Sequence, residues 1–334
     1  MKLARSIETV AGPVPAEALG IVLYHEHVTL DNRDKPGLTA YWLPKGAVME
    51  DELRAYAAAG GRSLVSLTND CMGRDVDEMR RLSVATSVQI ILATGLYTRP
   101  ASPPIADVAR LASEFVRELS DGIGATGVRA AVIGEIGTGA WPIGQFERDL
   151  FHAAALAHLE TGAPIATHSH GGKYARWQLD ELTSHGVRPE SIAIGHLDEG
   201  LIFGDRQLDM IAALGRRGCY VGFDTIGITY YSQYMKRQQP SDDQRAVAVR
   251  RLIDMGLGPQ ILLAHDICRP DHLSANRGWG YTHIFKTFLP LLEREGVDRA
   301  TCESLLKDNP ARWLVGGSVA HAPRPRPLAA EAEA

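Results

Sequence analysis

Ile21-Val22-Leu23-Tyr24-His25-Glu26-His27 is an apolar run that closes on two histidines flanking one glutamate. Successive side chains of a β-strand point to opposite faces, so His25 and His27 share a face and Glu26 takes the other. The same pattern, an apolar run with a metal-type residue at its end, recurs along the chain. Glu135 stands in AVIGEIG (131–137), His168 in PIATHS (164–169), His196 in IAIGHL (192–197) and Asp266 in ILLAHD (261–266). Eight such runs can be marked between turn signals: 21–27, 63–69, 88–95, 129–137, 163–169, 192–197, 219–225 and 261–266. Near-continuous Val, Ile, Leu and Ala is the composition of strands buried on both faces in a parallel sheet. Helical periodicity falls between the runs, at 48–59, 75–85, 105–120, 145–160, 173–185, 206–216, 242–256 and 281–294. Strand and helix alternating eight times predict a (β/α)8 TIM barrel, with a doubly wound open sheet as the alternative. The six residues His25, His27, Glu135, His168, His196 and Asp266 fall at the C-terminal ends of the first, fourth, fifth, sixth and eighth runs. That is the face on which barrel enzymes build their sites.

Composition narrows the function classes. The chain has 334 residues, 45% of them hydrophobic and 22% charged, enough for a large core and unlike a disordered chain. A net charge of −5 gives no footprint for nucleic acid or an anionic membrane. No apolar stretch of about 18 residues offers a membrane span, and MKLARSIETVAGPV lacks the apolar core of a signal peptide. Cys71, Cys219, Cys268 and Cys302 are widely spaced, which predicts reduced thiols in a cytoplasmic protein rather than a disulfide framework or zinc ribbon. Residues 1–317 are expected to form one barrel domain, with residues 1–20 as a lead-in across its bottom. The low-complexity tail at 318–334 is expected to be disordered. Two long loops, 30–47 and 226–242, are long enough to line a pocket.

Four imidazoles and two carboxylates at strand ends suit a pair of divalent ions. Glu135, set among residues that call for an apolar environment, must be paired or metal-bound, and it is the anion placed to bridge two close cations. His168 and His196 would hold the second ion. His170 shares a face with His168 but lies nearer the loop, so it is assigned to the substrate or to supporting a ligand. Asp266 closes the set, and a carboxylate there can take a proton from the attacking hydroxide and deliver it to the leaving group. Two such ions would bring a bridging water near neutrality and polarise a carbonyl or phosphoryl oxygen. No G-x-S-x-G, P-loop or dinucleotide fingerprint stands in a suitable context. Arg269 and His272, just past Asp266, are placed to meet an anionic substrate group. Tyr230, Tyr231 and Tyr234 are candidates for the pocket wall.

From LGIVLYHEHVTLD to DNPARWL the chain resembles the phosphotriesterase family of the amidohydrolase superfamily. The resemblance implies a distorted barrel and a binuclear centre, commonly zinc, with Mn2+ or Co2+ as other divalent occupants. By it, His25, His27 and Asp266 would hold the more buried ion, and His168 and His196 the more exposed one. It also implies that Tyr97, in TGLYTRP, lies near the reactive water, and that the protein is a homodimer. Where well-known members bridge their ions with a carboxylated lysine, this chain has Glu135. TNDCMGR, IGEIGT, FDTIG, DICRPDHL and GWGYTHI are similar to the phosphotriesterase homology protein branch, in which glutamate takes that place. Thr225 follows Asp224 where lactonases usually carry arginine.

The function expected from these features is a binuclear hydrolase acting on a small ester or lactone through a metal-bridging hydroxide, with organophosphate triester hydrolysis as a side activity. An amidase acting on N-acyl amino acid-like substrates uses the same electrophile. A metal-dependent deoxyribonuclease of the same superfamily also has a G-E-I-G strand, and a non-catalytic metal-binding barrel is the reading outside enzymes. The partner expected is a small-molecule substrate, with no nucleic acid and no membrane.

Overall fold

The computed structural model describes residues 6–99, 101–232 and 236–316. Eight parallel strands follow one another in sequence order around a single sheet. They are β1 (Ile21–Glu26), β2 (Gly61–Ser66), β3 (Gln89–Thr94), β4 (Val132–Gly137), β5 (Ile165–His168), β6 (Ile192–Ile194), β7 (Tyr220–Phe223) and β8 (Ile261–Leu263). The intervening helices are α1 (Ala47–Ala58), α2 (Val76–Thr86), α3 (Val108–Ser120), α4 (Gln145–Thr161), α5 (Ala175–Ser184), α6 (Asp205–Arg216) and α7 (Asp242–Asp254). This is the barrel the alternation predicts, and the open-sheet alternative falls.

Local chemistry explains the helices. In α3 the buried residues Leu111, Ala112, Phe115, Val116 and Leu119 form one stripe, and the Asp107 carboxylate accepts the Arg110 amide at the N-terminus. Each large apolar side chain on such a stripe contributes about 1.5–3 kcal/mol on burial, and losing the Asp107 cap would cost about 1 kcal/mol. Helix α7 opens with a reciprocal Ser241–Gln244 capping box. Helix α4 ends at Gly162, in the left-handed region at φ 72°, with its N–H on His158 O.

The seam between β8 and β1 is closed by a side chain. Glu26, turned away from the two histidines beside it, accepts from His265 N (2.8 Å), His265 Nδ1 (2.9 Å) and Ile267 N (3.0 Å). One backbone bond, Asp266 N to His25 O at 3.3 Å, supplements it. A fully buried carboxylate thus does what a strand ladder does at the other seven junctions.

The pattern at 281–294 resolves into a π-turn at Ile284–Phe288 and α8 (Leu289–Arg294), and two further helices follow, α9 (Arg299–Leu306) and α10 (Asp308–Gly316). Pro310 obscures the last one in the sequence, although a proline in a first turn gives up no helical hydrogen bond. Its Trp313 is buried edge-on against Tyr24 at 5.9 Å, and Asn309 Nδ2 donates to Gly258 O and Ile261 O at the entry to β8. The lead-in forms a short hairpin, Ser6–Ile7 with Val14–Pro15. The expected tail at 318–334 and Tyr234 lie outside the described residues.

Candidate metal centre

The six residues converge on one point at the C-terminal mouth of the barrel. Glu135, on β4, sits at the middle. Its Oε2 lies 3.5 Å from His25 Nε2, 3.1 Å from His168 Nδ1 and 3.6 Å from His196 Nε2, while its Oε1 lies 3.7 Å from His27 Nε2. Asp266 Oδ1 completes one side at 3.1 Å from His27 Nε2 and 4.0 Å from His25 Nε2. His25, His27 and Glu135 form one group with the spacing of metal ligands, and Glu135, His168 and His196 form another. Two backbone positions are held in an uncommon conformation to achieve this, His196 at φ 56° and Asp266 at φ 54°. Non-glycine residues in the left-handed region persist where surrounding structure imposes them, commonly at functional sites.

The imidazoles are aimed by partners on their other nitrogens. His27 Nδ1 is 2.8 Å from Thr68 Oγ1. Asp224, at the end of β7, serves two histidines at once: Oδ1 accepts from His196 N (2.8 Å) and Nδ1 (2.9 Å), and Oδ2 accepts from His25 Nδ1 (2.8 Å) and the Tyr24 hydroxyl. With Nδ1 engaged, Nε2 of His25, His27 and His196 faces the centre, the arrangement that carboxylate–histidine pairs impose at metal sites. His25 Nε2 is buried with no hydrogen-bond partner among the described residues. An orphaned, buried, correctly aimed nitrogen among carboxylates fits a divalent cation. Two glycines make room for the bonds: a Cβ at Gly222 would fall 1.8 Å from the Tyr24 oxygen, and one at Gly195 would fall 3.0 Å from Asp224 Oδ2.

The fold and this geometry agree with what sequence comparison finds. The pattern of the phosphotriesterase family matches residues 5–314. The chain belongs to the phosphotriesterase family. The phosphotriesterase homology protein of Escherichia coli K12 is 33% identical over 88% of this chain and 98% of its own length. Its crystal structure, with phosphate in the active site, superposes with a TM-score of 0.81 over 89% of this chain and 99% of that one. An N-acetyltaurine hydrolase of Tetraodon nigroviridis is 31% identical over 93% of this chain and 98% of its own. A resiniferatoxin-binding protein of Rhodobacter sphaeroides superposes with a TM-score of 0.85, at 30% identity, over 95% and 96% of the two chains. Family and fold together make the chain a metal-dependent hydrolase, and they support its likeness to the homology-protein branch.

Electrostatics in this family member are dominated by burial set against close charges. Burial opposes a charge on His25, but Asp224 and Glu135 outweigh it and push the imidazole up to about 10. Burial likewise raises Glu135, yet His25 and bonds from His168 and His196 hold it well below the usual carboxylate range. His25 therefore tends to hold a proton against the Glu135 carboxylate, and a cation bound at its Nε2 would have to displace that proton.

A cavity of about 880 Å3, counting its open mouth, lies over the centre. Tyr97, His170 and Arg269, the substrate contacts expected from sequence, all line it, together with His272 and Tyr230. Tyr97 stands edge-on to His168 at 4.9 Å between ring centres. His170 is outside both ligand groups, and burial beside His168 pushes it down to about 4. Tyr231, by contrast, is 48% exposed and does not line the cavity. The sequence reading missed Asp224 and Thr68 as orienting groups. It also missed Arg245, which is fully buried and ties Asp198, Thr225 and Asp242 to the Ile228 and Pro240 carbonyls beneath the seventh loop. Asp224 ends the run CYVGFDT at the same point on its strand as the six residues on theirs, and that equivalence was the available clue.

Among the described residues no helix is long and apolar enough to cross a membrane.

Proposed function

We propose that the chain is a binuclear metal-dependent hydrolase of small carboxyl compounds, with His25, His27 and Asp266 on one ion, His168 and His196 on the other, and Glu135 between them. The position of Glu135 carries the reading, because one carboxylate lies within 3.7 Å of four imidazoles drawn from the ends of three other strands. When bound, two divalent ions, with Zn2+ the first choice and Mn2+ or Co2+ alternatives, supply an acidic water and polarise the scissile carbonyl. The rest falls to the chain's own residues. Asp266, whose side chain is 16% exposed, is the most accessible of the six and takes the water's proton for delivery to the leaving group. Tyr97 and His170 place the substrate over the centre, and Leu30, Leu38, Met72 and Ile228 exclude solvent around it.

The bond cleaved is an ester or lactone on the first reading. An amide is the second, and the N-acetyltaurine hydrolases among its relatives favour it. The experiment is turnover by Zn2+-, Mn2+- and Co2+-loaded protein on lactones, esters, N-acyl amino acids and phosphotriesters, with Asp266→Asn as the blank. A hit abolished in that variant is the expected result. Metal-loaded protein silent across the panel, or a hit that Asp266→Asn retains, would remove the proposal in favour of a binding protein.

A further inference from the structure

Above the strand ladder, the ends of β6 and β7 are held together by carboxylates. Their registered backbone pairs stop at Ile194 with Val221. Past that point the two strands exchange side chain for backbone. Asp224 Oδ1 accepts from His196 N at 2.8 Å. In return Asp198, two residues beyond His196, accepts from Asp224 N at 3.4 Å and Thr225 N at 3.3 Å. Both carboxylates are fully buried. The exchange fixes where Asp224 stands relative to His196, and Asp224 aims His25 through its other oxygen at 2.8 Å.

Asp198 takes its countercharge from Arg245 on α7, whose Nε donates to Oδ2 at 2.7 Å. The other donors of that guanidinium go elsewhere. Nη1 donates to Pro240 O at 2.8 Å and Asp242 Oδ1 at 3.0 Å, and Nη2 donates to Thr225 Oγ1 and Ile228 O, both at 3.0 Å. Ile228 and Pro240 lie at the two ends of the seventh loop, and Tyr230, Ser232 and Gln239 of the cavity wall fall between them. Asp242 also accepts from Gly227 N at 3.0 Å. One planar group therefore clamps both the substrate-facing loop and the carboxylate that holds Asp224. A guanidinium can do this because its donors diverge in a fixed fork. An ammonium, with three donors on one atom, cannot span the same set.

We propose that Arg245 is a positioning residue for the metal centre, coupling the seventh loop to the histidines that Asp224 aims. The inference rests on the proposed centre and adds to it a link between cavity wall and ligands. Whatever fixes the ligands steadies the loop, and by reciprocity whatever seats on the loop steadies the ligands. A guanidinium with only a structural role would support stability and leave both alone. Arg74 supplies that comparison. Its side chain is 2% exposed, and it is paired with both oxygens of Glu118 at 2.7 and 2.8 Å and bonded to Ala93 O at 2.7 Å. None of those bonds goes to a ligand of the centre or to a group that orients one.

The test uses full-length Arg245→Lys, with Arg74→Lys as the comparison. Zn2+ affinity is read by chelator competition, ligand geometry by the visible absorption of Co2+-loaded protein, and the loop by hydrogen exchange of peptides from 226–241 with and without Zn2+. Arg245→Lys should weaken Zn2+ binding by about tenfold, the low end for a histidine ligand that loses its support, and should shift the Co2+ bands. In wild type Zn2+ should slow exchange in the loop by about tenfold, and in Arg245→Lys by less than about threefold. Arg74→Lys should stay within about twofold of wild type in both readouts. Wild-type affinity and spectrum in Arg245→Lys overturn the proposal. So does loop exchange in wild type that ignores Zn2+, or an Arg74→Lys protein that reproduces the losses. If Arg245→Lys fails to fold, Thr225→Val replaces it, removing the hydroxyl that donates to Asp198 Oδ2 at 2.6 Å and accepts from Arg245. About threefold weaker Zn2+ binding is then expected, and equality with wild type overturns the proposal. None of these readouts needs turnover. Wild type that takes up no divalent ion removes the centre itself, whereas ion-loaded wild type and variant that behave alike remove the coupling alone.

Discussion

Asp224→Asn should weaken one ion far more than the other, because one carboxylate orients a histidine on each side of the centre. The Oδ1 position receives a backbone amide, His196 N at 2.8 Å, which can only donate. The oxygen of the substituted carboxamide must therefore stay there, and its NH2 must face His25 Nδ1 and the Tyr24 hydroxyl. Tyr24 can rotate to accept. His25 can accept at Nδ1 only by moving its proton to Nε2, the nitrogen 3.5 Å from Glu135 Oε2, which closes the lone pair a cation needs. Loss of an orienting partner of this kind costs about 10- to 100-fold in metal affinity, or about 1.4–2.7 kcal/mol. His196 keeps its acceptor, so the ion on His168 and His196 should change little. The assay is competition with a chromophoric chelator, followed to two equivalents, with metal content by elemental analysis. Two affinities that fall together, or neither falling, would refute the tautomer argument. Asp224→Ala is the contrasting case, in which both histidines lose their partner and both affinities should drop.

Three further outcomes are expected. Glu135→Ala should lose at least one equivalent of metal while His170→Ala keeps both and alters turnover; elemental analysis decides, and an empty His170→Ala site would reverse the choice of His168 as ligand. Arg245→Leu leaves the fully buried Asp198 without its guanidinium, and should cost about 3–5 kcal/mol in urea unfolding. Burial pushes the Glu199 carboxyl up from 4.5 to about 7. In the metal-free protein its contribution to stability is full below the unfolded value and is lost as pH rises through the folded one, by at most about 3 kcal/mol. Glu199→Gln should flatten that slope between pH 4.5 and 7 in urea titrations of the apo protein, and an unchanged slope would place its origin elsewhere.

The strands and the ligand donors were legible because both follow from alternation within one segment. A run of Val, Ile and Leu marks a doubly covered strand, and a histidine at its end is visible without reference to anything else. All eight strands fall within one or two residues of the runs or inside them, and His25, Glu135 and His168 lie on the strands themselves. What could not be read depends on pairs far apart in sequence. Asp224 and His25 are 199 residues apart, and Thr68 and His27 are 41. No periodicity connects them. Only closure of the barrel brings the ends of β1, β6 and β7 within hydrogen-bonding distance.

Glu26 shows how one local pattern meets two global demands. Alternation sends it away from the centre that His25 and His27 face, where a lone carboxylate would be costly to bury. The structure places it on the one junction of the barrel that lacks a strand ladder, where three N–H donors from the end of β8 satisfy it. The same junction delivers Asp266, whose own amide bonds to His25 O. Registering the last strand against the first and bringing the last carboxylate to the metal site are thus one act. A His-Glu-His strand end therefore encodes the seam and the centre together, and a shift of register there would misplace Asp266 relative to His27 before it disturbed any other donor.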